Sequence, residues 1–215
     1  TISTPGITGF TRAEVEALPK LEIIALFGSN KTLDLSPARE RGIRYDVEHH
    51  GEKLFIRTNA DDCEDFKLVE APVDAPARSD WRDLVAYRRG LMITRFAVFA
   101  DYLVRLEREN GLPRIVIREI ASGAEHPIAF DEEAYALGLF GGREFKTTTL
   151  RFSYSSMTTP EQTFDYDMAK RSRKLLKQQE VPSGHEPEHY LLERLEAISR
   201  DGVKVPITLL KHKTK

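Results

Sequence analysis

The sequence predicts a mainly β protein preceded by a short α/β segment. Three observations carry that expectation. From Arg44 onward, apolar and polar residues alternate in short runs separated by Gly, Asn, Asp, Ser and Pro, the period-2 pattern of half-buried strands. Asn110-Gly111 sits between two such runs, and Asn-Gly is a strong signal for a two-residue hairpin turn. Ahead of Ile43 the texture is different. There Leu21–Phe27 is almost continuously apolar, as in a strand buried on both faces, and it lies between two segments with helix-capping residues.

Taken in order, Thr11-Arg12-Ala13-Glu14 supplies an N-cap and capping box for a helix through Ala17, which Pro19 ends because proline cannot occupy a helix interior. After the apolar run, Gly28-Ser29-Asn30 is a turn. Ser36–Gly42 is a short helix with Pro37 at its first position and glycine at its end. Residues 44–59 then read as strand, turn, strand, and residues 66–72 add a third. Trp81–Val85 follows a Pro/Asp-rich connection, and Met92–Phe99, Tyr102–Arg108 and Ile115–Ile120 continue the series. Arg151–Ser155 and Thr163–Met168 flank the Ser/Thr/Pro turn Ser156–Pro160 and form a further hairpin. Four strands in about 40–50 residues make a propeller blade, so residues 44–205 have room for about three to four blades. The expected organisation is an α/β segment over 1–43, a partial β-propeller over 44–205, and a distinct end segment over 206–215.

The wording of several segments is specific. YDVEHHGEKLFIRTN, DFKLVEAP, FAVFADYLVRLERENGLPRIVI, LRFSYSSMTTP, FDYDM, LLKQQEVPSG and ERLEAISRDGVKVPITLL, in that order, resemble oligopeptidase B, a group of serine peptidases in the prolyl oligopeptidase family. The resemblance covers residues 44–215. It implies the later blades of a propeller, followed from Val203–Leu210 by the opening strand of an α/β-hydrolase domain that carries the Ser, Asp and His of catalysis. In such enzymes the propeller caps the active site and restricts it to short peptides. Residues 7–43, with ALPKLEIIALFGS, LDL and ARERGI, resemble the first domain of D-2-hydroxyacid dehydrogenases. In that family a Gly-Val-Gly loop lies beside the substrate carboxylate, whereas this chain has Gly28-Ser29-Asn30. The Gly-x-Gly-x-x-Gly dinucleotide fingerprint is absent from the sequence. The two resemblances meet near Ile43, which suggests a hybrid chain; a divergent N-terminal segment that matches the dehydrogenases by chance is the alternative.

Composition bounds the partners. Thirty-two Lys and Arg face 34 Asp and Glu, for a formal net charge of −2, which gives no field for nucleic acid or an anionic membrane surface. The locally basic Lys211–Lys215 reads as a frayed tail. No apolar run reaches the ~20 residues needed to span a bilayer, and residues 1–30 lack the layout of a signal peptide. The single cysteine, Cys63, cannot form an internal disulfide, so a reducing, cytoplasmic setting is expected. Acids flank it in Asp61-Asp62-Cys63-Glu64-Asp65. They disfavour a thiolate, so Cys63 is expected to be a solvated loop thiol.

Each candidate site has an ordinary reading beside it. His185-Glu186-Pro187-Glu188-His189 satisfies H-E-x-x-H, the zinc-protease spacing that works on a helix. Pro187 breaks the helix that this chemistry needs, and a solvated turn is expected. His49 and His50 are adjacent on a strand and face opposite sides. Ser153, Ser155 and Ser156 lack the Gly-x-Ser-x-Gly elbow of a hydrolase nucleophile and read as hydroxyls bonding to local backbone. Asp131-Glu132-Glu133, and Asp165 with Asp167, could bind Ca²⁺ or a basic peptide, but a solvated blade edge is expected. Phe96, Phe99, Tyr102, Phe152, Tyr154, Phe164 and Tyr166 alternate as packing between blades requires.

The expectation is therefore no catalytic, cofactor-binding or metal-binding residue and no cofactor. The leading function is the non-catalytic propeller portion of an oligopeptidase B-like peptidase, with a hydrolase domain as partner and self-association possible through exposed blade edges. A stand-alone or chimeric interaction module and a dehydrogenase-related fragment are the alternatives.

Overall fold

Strand alternation produces sheets wherever one face can be buried, and it does so repeatedly here. The computed structural model describes residues 42–140 and 144–214. The chain divides into two units, residues 1–89 and 90–215. The expected helix, strand and helix before Gly42, with the dehydrogenase-like wording, lie outside the described residues.

In the first unit four strands form an antiparallel meander in the order β1 (Tyr45–His50), β2 (Lys53–Thr58), β3 (Lys67–Pro72) and β4 (Arg82–Val85). The β1–β2 turn is two residues long, and Gly51 takes a φ of 59°, a left-handed conformation that glycine adopts without steric cost. Leu54, Ile56, Val69 and Ala71 share one face of this sheet and pack with Tyr45, Val47 and Trp81. A bulge between Leu68 and Val69 shifts the pairing of β3 with β4.

The second unit contains two further four-stranded meanders and a hairpin. One meander runs β5 (Leu91–Val98), β6 (Tyr102–Glu109), β7 (Leu112–Glu119), β8 (Glu125–Pro127). Asn110 and Gly111 close β6–β7 with φ of 50° and 77°, the two positive values that a type I′ turn requires and that the Asn-Gly pair signalled. The other meander runs β9 (Ala136–Leu139), β10 (Thr149–Ser155), β11 (Gln162–Asp167), β12 (Ser172–Gln178). The described chain thus holds three blades of four antiparallel strands, a mainly β partial propeller as the sequence predicts.

The second and third blades share one core. Val104, Ile115 and Ile117 of the second meet Leu139, Leu150 and Phe152 of the third, with Phe99, Tyr154 and Tyr166 in the same cluster. Phe152 is fully buried between the rings of Phe164, at 5.4 Å, and Phe130, at 5.8 Å. Burying one such aromatic side chain contributes roughly 1.5–3 kcal/mol. Arg95 Nη1 donates to the Leu139 carbonyl at 3.0 Å, which pins the two sheets by backbone as well as by side chain.

After β12, β13 (Tyr190–Ile198) and β14 (Lys204–His212) form a two-stranded antiparallel hairpin. The boundary expected between residues 205 and 206 falls inside β14, where Val205 and Pro206 pair without interruption with Ala197 and Glu196. No described helix is long and apolar enough to cross a membrane.

Candidate functional site

A dense polar cluster beside the third blade forms where the β10–β11 turn meets the loop that leads into β9. Ser156 begins the turn. Its Oγ accepts the backbone N–H groups of Thr158, at 3.0 Å, and Thr159, at 2.8 Å, while its own N–H donates to the Thr159 carbonyl at 3.0 Å. A serine hydroxyl that bonds to backbone two and three residues on is a local turn device. This fixed turn directs its threonine hydroxyls towards Glu132. The Glu132 carboxylate accepts Thr158 Oγ1–H at 2.6 Å, Thr159 Oγ1–H at 2.5 Å and Tyr154 Oη–H at 2.8 Å.

Burial would raise the pKa of Glu132, but the combined hydrogen bonds from Ser156, Thr158, Thr159 and Tyr154 outweigh it and hold the group below the ordinary carboxylate range. The same contact pushes the Tyr154 phenol up, first through burial and then through the adjacent carboxylate. Next to this knot is an aromatic layer. Phe130 stacks on Tyr154 at 5.0 Å and lies 4.9 Å from Tyr135. The Arg173 guanidinium sits 5.4 Å from the Phe130 ring and 5.6 Å from that of Phe164, and donates to the Ala129 carbonyl at 3.0 Å. A cavity of about 190 Å³ opens between these groups.

The structure brings together several residues that the sequence singled out separately. Ser156, Tyr154 and Glu132 belong to one cluster. His185 joins it from the connection after β12, with Nε2 2.6 Å from the Thr158 carbonyl. A carbonyl only accepts, so Nε2 carries the proton and donates. This is not the geometry of nucleophilic catalysis. The Ser156 oxygen already accepts two backbone donors, and the imidazole faces a carbonyl rather than a serine. Ser153 pairs with Gly138 across β10–β9, and its Oγ occupies the space that a side chain at 138 would need. Ser155 pairs with Ala136.

The other candidates have structural partners. Asp165 receives two bonds from Arg151, at 2.8 and 3.0 Å, which chiefly accounts for its lowered pKa. Asp167 accepts the backbone N–H groups of Ala169 and Lys170 in the β11–β12 turn. Around the H-E-x-x-H segment, Pro187–His189 is one turn of 3₁₀ helix, too short to align two histidines. The His185 ring stacks on Tyr190, and that of His189 lies 5.8 Å from His212. His50 lies against Phe55, with ring centroids 5.6 Å apart.

Two expectations are corrected. Cys63 is a buried thiol, 4% exposed, not a solvated one. Its Sγ–H points to the Asp61 carbonyl at 3.5 Å, and burial first, then the nearby acids, pushes its pKa up. The loop from Asn59 to Phe66 folds inward through left-handed residues Asp61, Asp62 and Phe66, which carries the thiol under it. Glu132, expected on a solvated edge, is the half-buried hub of the cluster, while its neighbour Asp131 is fully exposed. The sequence gives little sign of this, because the hub and its hydroxyl donors are more than 20 residues apart.

A second polar cluster, not anticipated at all, lies on one face of the second blade. Arg105 donates Nε–H to Glu107 at 2.8 Å and both terminal nitrogens to Glu125 at 2.9 Å. Arg114 donates to Glu107 at 2.7 Å and Arg118 to Glu125 at 2.9 Å. Arg105 and Glu107 are almost wholly buried. The available signal was charge at alternate positions, 105 and 107 on β6 and 114 and 118 on β7, which puts all four on one face.

Comparison with known proteins gives a consistent result. The family described as prolyl oligopeptidase, N-terminal beta-propeller domain, matches residues 23–179. The range starts within the dehydrogenase-like segment and ends next to the last residue of β12. The chain is 41% identical over 176 residues to dipeptidyl aminopeptidase BI of Pseudoxanthomonas mexicana, covering 81% of this chain and 24% of that protein. Among solved structures it is similar to oligopeptidase B from Trypanosoma brucei with covalently bound antipain, in its closed form. There the TM-score is 0.73 and the identity 32%, over 81% of this chain and 26% of the other. Oligopeptidase B from Leishmania major gives a TM-score of 0.72 at 32% identity, over 80% and 25%. The chain spans about a quarter of the length of the relatives it matches.

Proposed function

Since the chain belongs to the prolyl oligopeptidase family and carries a portion of its N-terminal β-propeller, we propose that it is the non-catalytic, substrate-restricting part of an oligopeptidase B-like serine peptidase. The observation that carries this reading is the correspondence of the blades to oligopeptidase B, together with the state of the serines. Ser153 and Ser156 are committed to cross-strand packing and to a turn.

In this reading the partner is a hydrolase domain supplying Ser, Asp and His, and the blades cap its active site so that only short peptides enter. On this reading the chain leaves the propeller after β12, which the end of the family match at residue 179 and the two-stranded hairpin that follows both support. A reducing, cytoplasmic setting belongs to the same proposal and is supported by the lone, buried Cys63.

The test is hydrolysis of a fluorogenic Arg-Arg peptide by the purified chain, with a fluorophosphonate probe for reactive serines in parallel. The expected result is neither turnover nor labelling. A labelled serine in this chain would overturn the reading. A second reading, an interaction module that associates with itself or another protein, is favoured by one observation. Leu195, Val205, Ile207 and Leu209 share one face of the β13–β14 hairpin, and all four are exposed. Sedimentation over a concentration range tests whether that face is used, since self-association through it predicts a mass that rises with concentration.

A further inference from the structure

The β13–β14 hairpin pairs with no other described strand. Its own ladder is complete, but β13 has an open outer edge, and an edge strand presents N–H groups that need partners. Arg194 faces Thr208 in the ladder, yet its backbone N–H points away from β14 and donates to Glu133 Oε2 at 2.9 Å. One face of the hairpin also comes close to the β6–β7 turn. A side-chain carbon added at Gly111 would lie 3.4 Å from Pro206 Cγ and 3.8 Å from Arg194 Nη2. The stretch leading into the hairpin is tied separately, by His185 to the Thr158 carbonyl.

Glu132 and Glu133 are consecutive in one loop and divide the work. Glu132 holds the third blade's own turn, and Glu133 reaches out to the element that follows. A single loop therefore ties the β10–β11 turn of the third blade to the hairpin that follows β12. We propose that Glu133 is a latch: it holds the outer edge of β13 on the third blade, and removing it frees the hairpin as a unit while the blades stay folded. The inference uses the hairpin's own contacts and stands whether or not the peptidase reading does.

The latch is one charge-assisted hydrogen bond at an exposed site, so its loss changes local opening by about tenfold. Amide hydrogen exchange on the full chain reads this directly. Glu133→Ala is expected to speed exchange about tenfold at Arg194 and across 190–198 and 204–212, leaving 149–155 and 162–167 unchanged. Glu133→Gln keeps an oxygen acceptor and should stay near the parent rate. Because Glu133 is exposed, neither variant disturbs the core. Unchanged exchange in the hairpin of Glu133→Ala, an equal rise in the blades, or identical behaviour of the Ala and Gln variants would overturn the proposal.

Discussion

Glu107 in the second blade and Glu132 beside the third are both carboxylates withdrawn from water, yet they are stabilised differently. Glu107 is fully buried between two guanidiniums, within strands of one sheet. Glu132 is half-buried and satisfied by neutral hydroxyls from a turn and a neighbouring strand. The first arrangement compensates charge with charge and serves a single blade. The second leaves the negative charge unneutralised and uses it to order loops, one of which passes its own carbonyl on to the outgoing chain through His185. The comparison implies that the Arg105 network is a fixture of the sheet, whereas the Glu132 cluster positions segments that would otherwise be free to move.

The largest effect should come from breaking the charge-matched site. Glu107→Ala leaves Arg105 buried with half of its partners removed, and loss of one member of a buried ion pair costs about 3–5 kcal/mol. The urea midpoint of the second unit should fall accordingly. Glu107→Gln should also be severe, because one of the two acceptor oxygens becomes an amide donor facing a guanidinium N–H and the charge between two guanidiniums is lost. A loss under about 1 kcal/mol in Glu107→Ala would show that the network is better solvated than its burial indicates.

At the hydroxyl-matched site the order of the two substitutions should separate. Glu132→Ala removes three hydrogen bonds to a charged acceptor and should cost about 2 kcal/mol, since the stranded hydroxyls can turn to water or to each other. Glu132→Gln should be much milder than Glu107→Gln, because hydroxyls donate to an amide oxygen and accept from its nitrogen equally well. Chemical denaturation of the four variants in parallel checks this. If Gln is as damaging at 132 as at 107, the distinction between charge-matched and hydroxyl-matched carboxylates fails.

The blades were legible because their signals are local: alternation, the Asn110-Gly111 turn and strand length all act within a few residues. What sequence could not expose depends on topology. Glu132 meets Thr158 and Thr159 only after β9, β10 and the turn have folded back, so its burial has no local signature. Cys63 was misplaced for a similar reason, since the two acids on each side of it suggest solvent while the left-handed backbone of that loop turns the thiol inward. Ser156 was read correctly as a turn hydroxyl because its partners lie two and three residues away. Range in sequence, more than chemical type, decided which parts of the candidate site could be anticipated.

The smallest expected effect sharpens the comparison through pH. The bidentate bond from Arg105 and the contact with Arg118 outweigh burial and hold Glu125 at a pKa of about 2, below its ordinary value of 4.5. A carboxylate with a depressed folded pKa contributes stability that is present above the unfolded value and is lost as pH falls through the folded one. The Glu125 contribution is thus complete above about pH 5 and fades as pH drops towards 2. Glu125→Gln lacks it at every pH, so the stability gap between parent and variant should be widest near neutrality and close on acidification. Because Glu125 is about a third exposed, solvent screening keeps that gap well below the cost of Glu107→Ala. Urea midpoints of both proteins from pH 7 to pH 3 measure it. A gap that stays constant with pH would mean that Arg105 binds Glu125 by shape and hydrogen bonding alone, which would move the second blade's network closer in kind to the hydroxyl knot around Glu132.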